Sequence, residues 1–123
     1  MTRHRALVVE DDPAIRKLVG KLLQRRGIDI DTAHDGKQAI DKLGSDRYDV
    51  VILDLMVPEV NGFEIVEFVK KNSIKTPVAV VSAVSHQALT KLDLDVVKLV
   101  ISKPFDVEEF TKSIVKLCCE GTT

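Results

Sequence analysis

The stretch VVILDLMVPEVNG, Val50 to Gly62, sets a carboxylate, Asp54, directly after four apolar β-formers. A strand of that composition is built for burial on both faces. An unpaired carboxylate removed from water is costly, or else stays protonated. The run therefore raises two questions: what sheet needs so apolar a strand, and what makes Asp54 tolerable at its end.

The flanking chain answers the first. Short β-rich runs recur as RALVVE (5–10), IDIDTA (28–33), YDVVILD (48–54), PVAVVS (77–82) and LVIS (99–102). Between them the apolar spacing approaches 3.6 residues. Ile15, Leu18, Val19, Leu22 and Leu23 fall at i, i+3, i+4, i+7 and i+8. Val107, Phe110, Ile114, Leu117 and Cys118 form a second stripe, opened by Asp106 with Glu109 three residues on, the pattern of a capping box. Asp12-Pro13 reads as an N-cap with proline at the first helical position, and Asp35-Gly36 and Asn61-Gly62 as two further helix starts. HQALTKLDLDVVK (86–98) mixes both periods and is taken as a short or irregular helix.

Five βα units in strict alternation, with no repeat or linker, predict a single domain over residues 1–123. The fold class is α/β, a doubly wound five-stranded parallel sheet with helices on both faces. Right-handed crossovers and a topological switch between the first and third strands follow.

Composition narrows the function. The 123 residues are 45% hydrophobic and 30% charged, with a net charge of −1, so no global field draws the chain to nucleic acid or anionic lipid. Aromatics are 4%, and no basic stripe interleaves with them. No apolar stretch is long enough to span a bilayer, and the N-terminus turns acidic too early for a signal peptide. Cys118 and Cys119 are adjacent and make no C-x-x-C motif; they read as reduced small hydrophobes ending a helix. His4, His34 and His86 show no metal-ligand spacing and read as surface residues. The expected location is the cytoplasm.

In a doubly wound sheet, ligands bind beyond the carboxyl ends of the strands. The first strand ends in Glu10, Asp11 and Asp12, the third in Asp54, and the fourth in Ser82; Lys103-Pro104 follows the fifth. Asp12, directly before Pro13, is taken as a helix cap. The remaining polar groups converge on one edge. Asp54 is expected to emerge there rather than be buried. Its carboxylate neighbours raise one another's pKa, and Lys103 or a divalent cation such as magnesium would offset them.

The segments LVVEDDPAIRKLV (7–19), DVVILDLMVPEVNGFE (49–64), PVAVVSA (77–83) and ISKPF (101–105) resemble the receiver domains of two-component response regulators, over essentially the whole chain. That resemblance implies a flavodoxin-like strand order of 2-1-3-4-5 and a phosphorylation-dependent signalling switch. It makes Asp54 the phosphoacceptor, with Ser82 and Lys103 contacting the phosphoryl group. It also implies Mg2+ held by Glu10, Asp11, Asp54 and the backbone carbonyl of Met56, and a cis Lys103–Pro104 bond. The partners implied are a sensor histidine kinase or histidine phosphotransfer protein and a downstream protein target or effector domain, with no direct contact to nucleic acid or membrane. The domain would be no turnover enzyme beyond its own phosphotransfer and a slow dephosphorylation, since Met56 and Val84 flank the water's approach with apolar side chains.

The chain departs from the family pattern where most receivers carry an aromatic residue three positions before the lysine; here it is Val100. The usual turn before the last strand is replaced by LDVVKL. Val100 and the irregular segment 86–98 favour an alternative reading, a receiver-fold interaction domain acting without phosphorylation, while the complete set of Glu10, Asp11, Asp54, Ser82 and Lys103 opposes it. A flavin-binding protein is opposed by EDDPA, whose charge repels a phosphate. A phosphatase with an Asp nucleophile would need a second Asp where Met56 stands.

Overall fold

Val50–Leu53 is hydrogen-bonded on both edges, with Leu53 opposite Val9 on one side and Val80 on the other. All four of its residues are buried. This central position explains its composition. The computed structural model describes residues 4–55, 62–83 and 92–120. They form β1 (Arg5–Val9), α1 (Pro13–Gln24), β2 (Asp29–Ala33), α2 (Gly36–Ser45), β3 (Val50–Leu53), α3 (Gly62–Lys71), β4 (Val78–Ser82), β5 (Val97–Ser102) and α4 (Val107–Glu120). The strands are all parallel, in the order β2-β1-β3-β4-β5. Consecutive strands β1 and β2 pair, then the order reverses across β1 to β3, which is the expected switch point.

Alternation along each strand splits the core in two. Leu7, Val9, Val51, Leu53, Val78 and Val80 face Ala39 and Leu43 of α2 and Ile65, Val66 and Val69 of α3. Ala6, Val8, Val50, Ile52, Ala79 and Val81 face Val19 and Leu23 of α1 and Phe110, Ile114 and Cys118 of α4. Leu18 and Val107, assigned to the apolar stripes by spacing, remain 42% and 41% exposed. Leu18 lies off the line joining Val19 to Leu23, and Val107 is the first residue of its helix.

Three carboxylates start helices as their positions predict. Asp12 accepts from the amides of Ala14 (2.9 Å) and Ile15 (3.4 Å), and Pro13 follows it. Asp35 accepts from Gln38 N at 2.8 Å, and Asp106 from Glu109 N at 2.9 Å. Each cap contributes about 1 kcal/mol to its helix. α3 starts at Gly62, while Asn61 lies outside the described residues.

The segment before β5 differs from the expectation. β5 begins at Val97, two residues before the apolar run LVIS, and residues 92–96 turn rather than coil into a helix. Asp93 organises that turn: its carbonyl accepts from the amides of Val96 (3.1 Å) and Val97 (2.8 Å), and its carboxylate from Asp95 N (2.9 Å). Leu92 and Val96 anchor the turn in the core while Leu94 is 73% exposed. The remainder of the expected helix, 86–91, lies outside the described residues.

Candidate functional site

One further ladder hydrogen bond beyond the ends of β1, β3 and β5 holds three of the site residues in register. Glu10 N donates to Ala33 O (3.0 Å), Asp54 N to Val9 O (3.0 Å), and Lys103 N to Ser82 O (3.1 Å). The backbone therefore stays sheet-like while the side chains turn to the rim. The Lys103–Pro104 bond is cis, as expected. Lys103 Nζ lies 2.7 Å from Glu10 Oε1 and 3.1 Å from Asp54 Oδ2. Ser82 Oγ donates to the other oxygen of Asp54, Oδ1, at 3.4 Å.

Asp54 is not exposed at the rim. It is 8% exposed, Glu10 5% and Ser82 2%, whereas Asp11 faces solvent. The expectation of an emerging, solvated Asp54 is thus corrected. What makes its charge tolerable is direct pairing with an ammonium, together with the Ser82 hydroxyl.

Among the described residues, one lysine, Lys103, serves the two carboxylates of Glu10 and Asp54. Burial pushes the Glu10 carboxyl up to about 7; Lys103 opposes this, and the neighbouring Asp54 carboxylate reinforces it. Lys103 is held above the usual lysine range, because its bonds to Glu10 and Asp54 outweigh the lowering effect of burial. Such a cluster favours an added cation. Glu10, Asp11 and Asp54 each offer one oxygen, all within 4.8 Å of one another. Hard oxygen donors converging from two strand ends fit a magnesium-class ion. Met56 and Val84 lie outside the described residues.

Sequence reasoning passed over Arg16. Its Nη1 donates to the carbonyl of Glu10 at 2.8 Å and reaches that of Asp11 at 3.4 Å, steadying the acidic turn from α1. Nothing in spacing separates such an arginine from a solvated one on the polar face of a helix.

The family model for the response regulator receiver domain matches residues 6–115. This chain belongs to that family. The response regulator ArlR of Staphylococcus saprophyticus is 34% identical over 110 residues, 88% of this chain and 49% of that protein. The chain spans about half the length of the curated relatives it matches. Among solved structures, the response regulator protein TrrA of Thermotoga maritima, in complex with Mg2+-BeF, superposes with a TM-score of 0.82 at 34% identity, covering 93% of this chain and 98% of that one. The chemotaxis response regulator CheY4 of Vibrio cholerae superposes with a TM-score of 0.86 at 30% identity, covering 94% and 99%. The receiver is a signalling domain of two-component systems, and its sheet order is that of the CheY-like flavodoxin fold. Among the described residues, no helix is long and apolar enough to cross a membrane.

Proposed function

We propose that the receiver is a phosphorylation-dependent switch in which Asp54 accepts a phosphoryl group from a phosphohistidine on a sensor histidine kinase or histidine phosphotransfer protein. The observation that carries this reading is the Lys103 ammonium bridging Glu10 and Asp54 at 2.7 and 3.1 Å. It holds a nucleophilic carboxylate beside a cation that can follow the charge onto the transferred group.

A carboxylate oxygen of Asp54 bonds to phosphorus as the phosphorus–nitrogen bond breaks, and the donor imidazole leaves with the electron pair. Phosphoryl transfer needs little covalent machinery, so positioning and charge neutralisation supply most of the rate. Lys103 pairs with the phosphoryl oxygens. Mg2+, held by Glu10, Asp11, Asp54 and the Met56 carbonyl, would supply further positive charge to those oxygens. The Mg2+-BeF complex of the related TrrA supports this assignment. Ser82 Oγ, now on Asp54 Oδ1, turns to the phosphoryl group once it is present. A hydrogen bond made in only one state biases the equilibrium between conformations, and that bias is the signal. The signal passes to a downstream target or effector domain in the cytoplasm.

The test is intact-protein mass spectrometry after incubation with a small phosphodonor and magnesium. The wild type should gain one phosphate and Asp54→Asn none. Equal labelling of the two would refute Asp54 as acceptor.

A further inference from the structure

The other end of the sheet holds a second group of ligand-type side chains. His4 precedes β1, and Cys118 and Cys119 lie in the last turn of α4. One ring nitrogen of His4 and the two sulfurs lie within 4.8 Å of one another. We propose that His4, Cys118 and Cys119 form a soft-metal site, for a divalent cation of the zinc class, that joins the start of β1 to the end of α4.

The donor set selects the ion. Thiolate and imidazole suit zinc-class cations and not magnesium, which demands oxygen. In a tetrahedral site with zinc–sulfur bonds of about 2.3 Å, neighbouring donors lie about 3.8 Å apart. The three donor atoms, within 4.8 Å of one another, stand close to that spacing, and three protein donors leave a fourth position for water or a carboxylate. The site is independent of the acid cluster: His4 and Glu10 are separated by the length of β1, about 20 Å at ~3.3 Å per residue.

The surroundings are built rather than accidental. The His4 carbonyl accepts from Asp29 N at 2.8 Å, tying its backbone to β2. Asp49 Oδ2 stands 3.5 Å from His4 Nδ1, and that carboxylate is itself held by Arg5 N at 2.8 Å. A carboxylate beside a ligating histidine orients the ring and raises its donor strength. Cys118 is fully buried against α1 and the sheet, and Cys119 next to it is exposed.

Burial pushes the Cys118 thiol up to about 12, with Cys119 and Asp49 adding to the shift. The metal-free Cys118 thiol is thus neutral, and its ligation releases a proton to solvent, so that affinity rises with pH. The two thiolates and Asp49 together offset the ion's charge.

Reduced protein should be titrated with Co2+ while excess Mg2+ occupies the acid cluster. The wild type should show a sulfur-to-cobalt charge-transfer band saturating at one equivalent and bleached by Zn2+. Cys119→Ser, at an exposed position, should lose most of the band and at least tenfold in affinity. His4→Gln should keep the band and lose about tenfold. Zn2+ should raise the melting temperature of the wild type and not of Cys119→Ser. The absence of a band in reduced wild type would overturn the site, as would wild-type affinity in both variants. Cys118 is left intact because its substitution perturbs the core.

Discussion

Lys103 Nζ sits closer to Glu10, at 2.7 Å, than to Asp54, at 3.1 Å. In the resting receiver the lysine is therefore shared, with its shorter bond on the acidic pocket rather than on the proposed phosphoacceptor. Its side chain is 18% exposed, and those of its partners 6% and 10%. Removing one member of so buried a set strands the others. Lys103→Met is expected to lower metal-free stability at neutral pH by about 3 kcal/mol. The same variant should lose labelling by the phosphodonor, since the transferred charge then lacks its cation. Denaturant unfolding and mass spectrometry read the two effects separately. Unchanged stability would mean that the bridge is not formed in solution.

The acid cluster also sets a pH dependence. A carboxyl raised from 4.5 to about 7 in the folded protein keeps its proton after the unfolded chain has released it. Stability from Glu10 is thus greatest below pH 4.5, falls as pH rises to about 7, and is level above that. Glu10→Gln removes this decline, so the stability difference between wild type and variant should change steadily across that window. Saturating Mg2+ should flatten the wild-type profile by favouring the ionised cluster. Denaturant unfolding at intervals from pH 4.5 to 7.5 measures both. A constant difference would show that Glu10 titrates normally.

Much of the fold was legible because each strand and helix start carries a local cause. The apolar run of β3 implied two covered faces, and Asp12, Asp35 and Asp106 marked helix starts through their own hydrogen bonds. The turn before β5 was not legible. Leu92 and Val96 are four residues apart, as on a helix, but they anchor a turn whose bonds run to Asp93 three and four residues back, and their seating in the core is a tertiary choice that periodicity does not encode. At the site, spacing brought Glu10, Asp54, Ser82 and Lys103 to one rim. It missed the burial of Asp54, because burial depends on how closely Lys103 approaches from a separate segment. The same holds for His4 and Cys118, which are far apart in sequence and meet only through the sheet.

Gly62 controls the seating of the segment that carries Asp54. A Cβ at this position would stand 2.4 Å from Leu55 Cα and 2.8 Å from Leu55 Cδ2. Gly62 N also donates to Leu55 O at 2.9 Å, locking the start of α3 against the residue after Asp54. Backbone lies on both sides of the contact, so Gly62→Ala forces the two segments apart. The expected loss is about 2 kcal/mol, the usual scale of overpacking. Because Leu55 follows Asp54 directly, phosphorylation should slow as well, by more than the fraction unfolded explains. Labelling rates measured well below the melting temperature test this. A stable, normally labelled Gly62→Ala would show that the helix start yields without moving Asp54.

Magnesium separates charge repulsion from ligation at one residue, Asp11. Asp11 is exposed, so its carboxylate contributes little to packing, yet one of its oxygens lies within 4.8 Å of those of Glu10 and Asp54. Without an ion, its charge only adds to a cluster that, among the described residues, already holds two carboxylates and one lysine. Asp11→Asn should therefore leave metal-free stability unchanged or raise it slightly, because the repulsion falls while the shape is kept. With magnesium the sign reverses. An ion bound only by the folded state adds about 2.7 kcal/mol at a hundred times its dissociation constant, and Asp11→Asn should forfeit most of that gain. Thermal unfolding of both proteins with and without excess Mg2+ gives all four values. A melting shift of wild-type size in Asp11→Asn would remove Asp11 from the ligand set. A variant less stable than wild type without metal would instead assign the carboxylate a structural role.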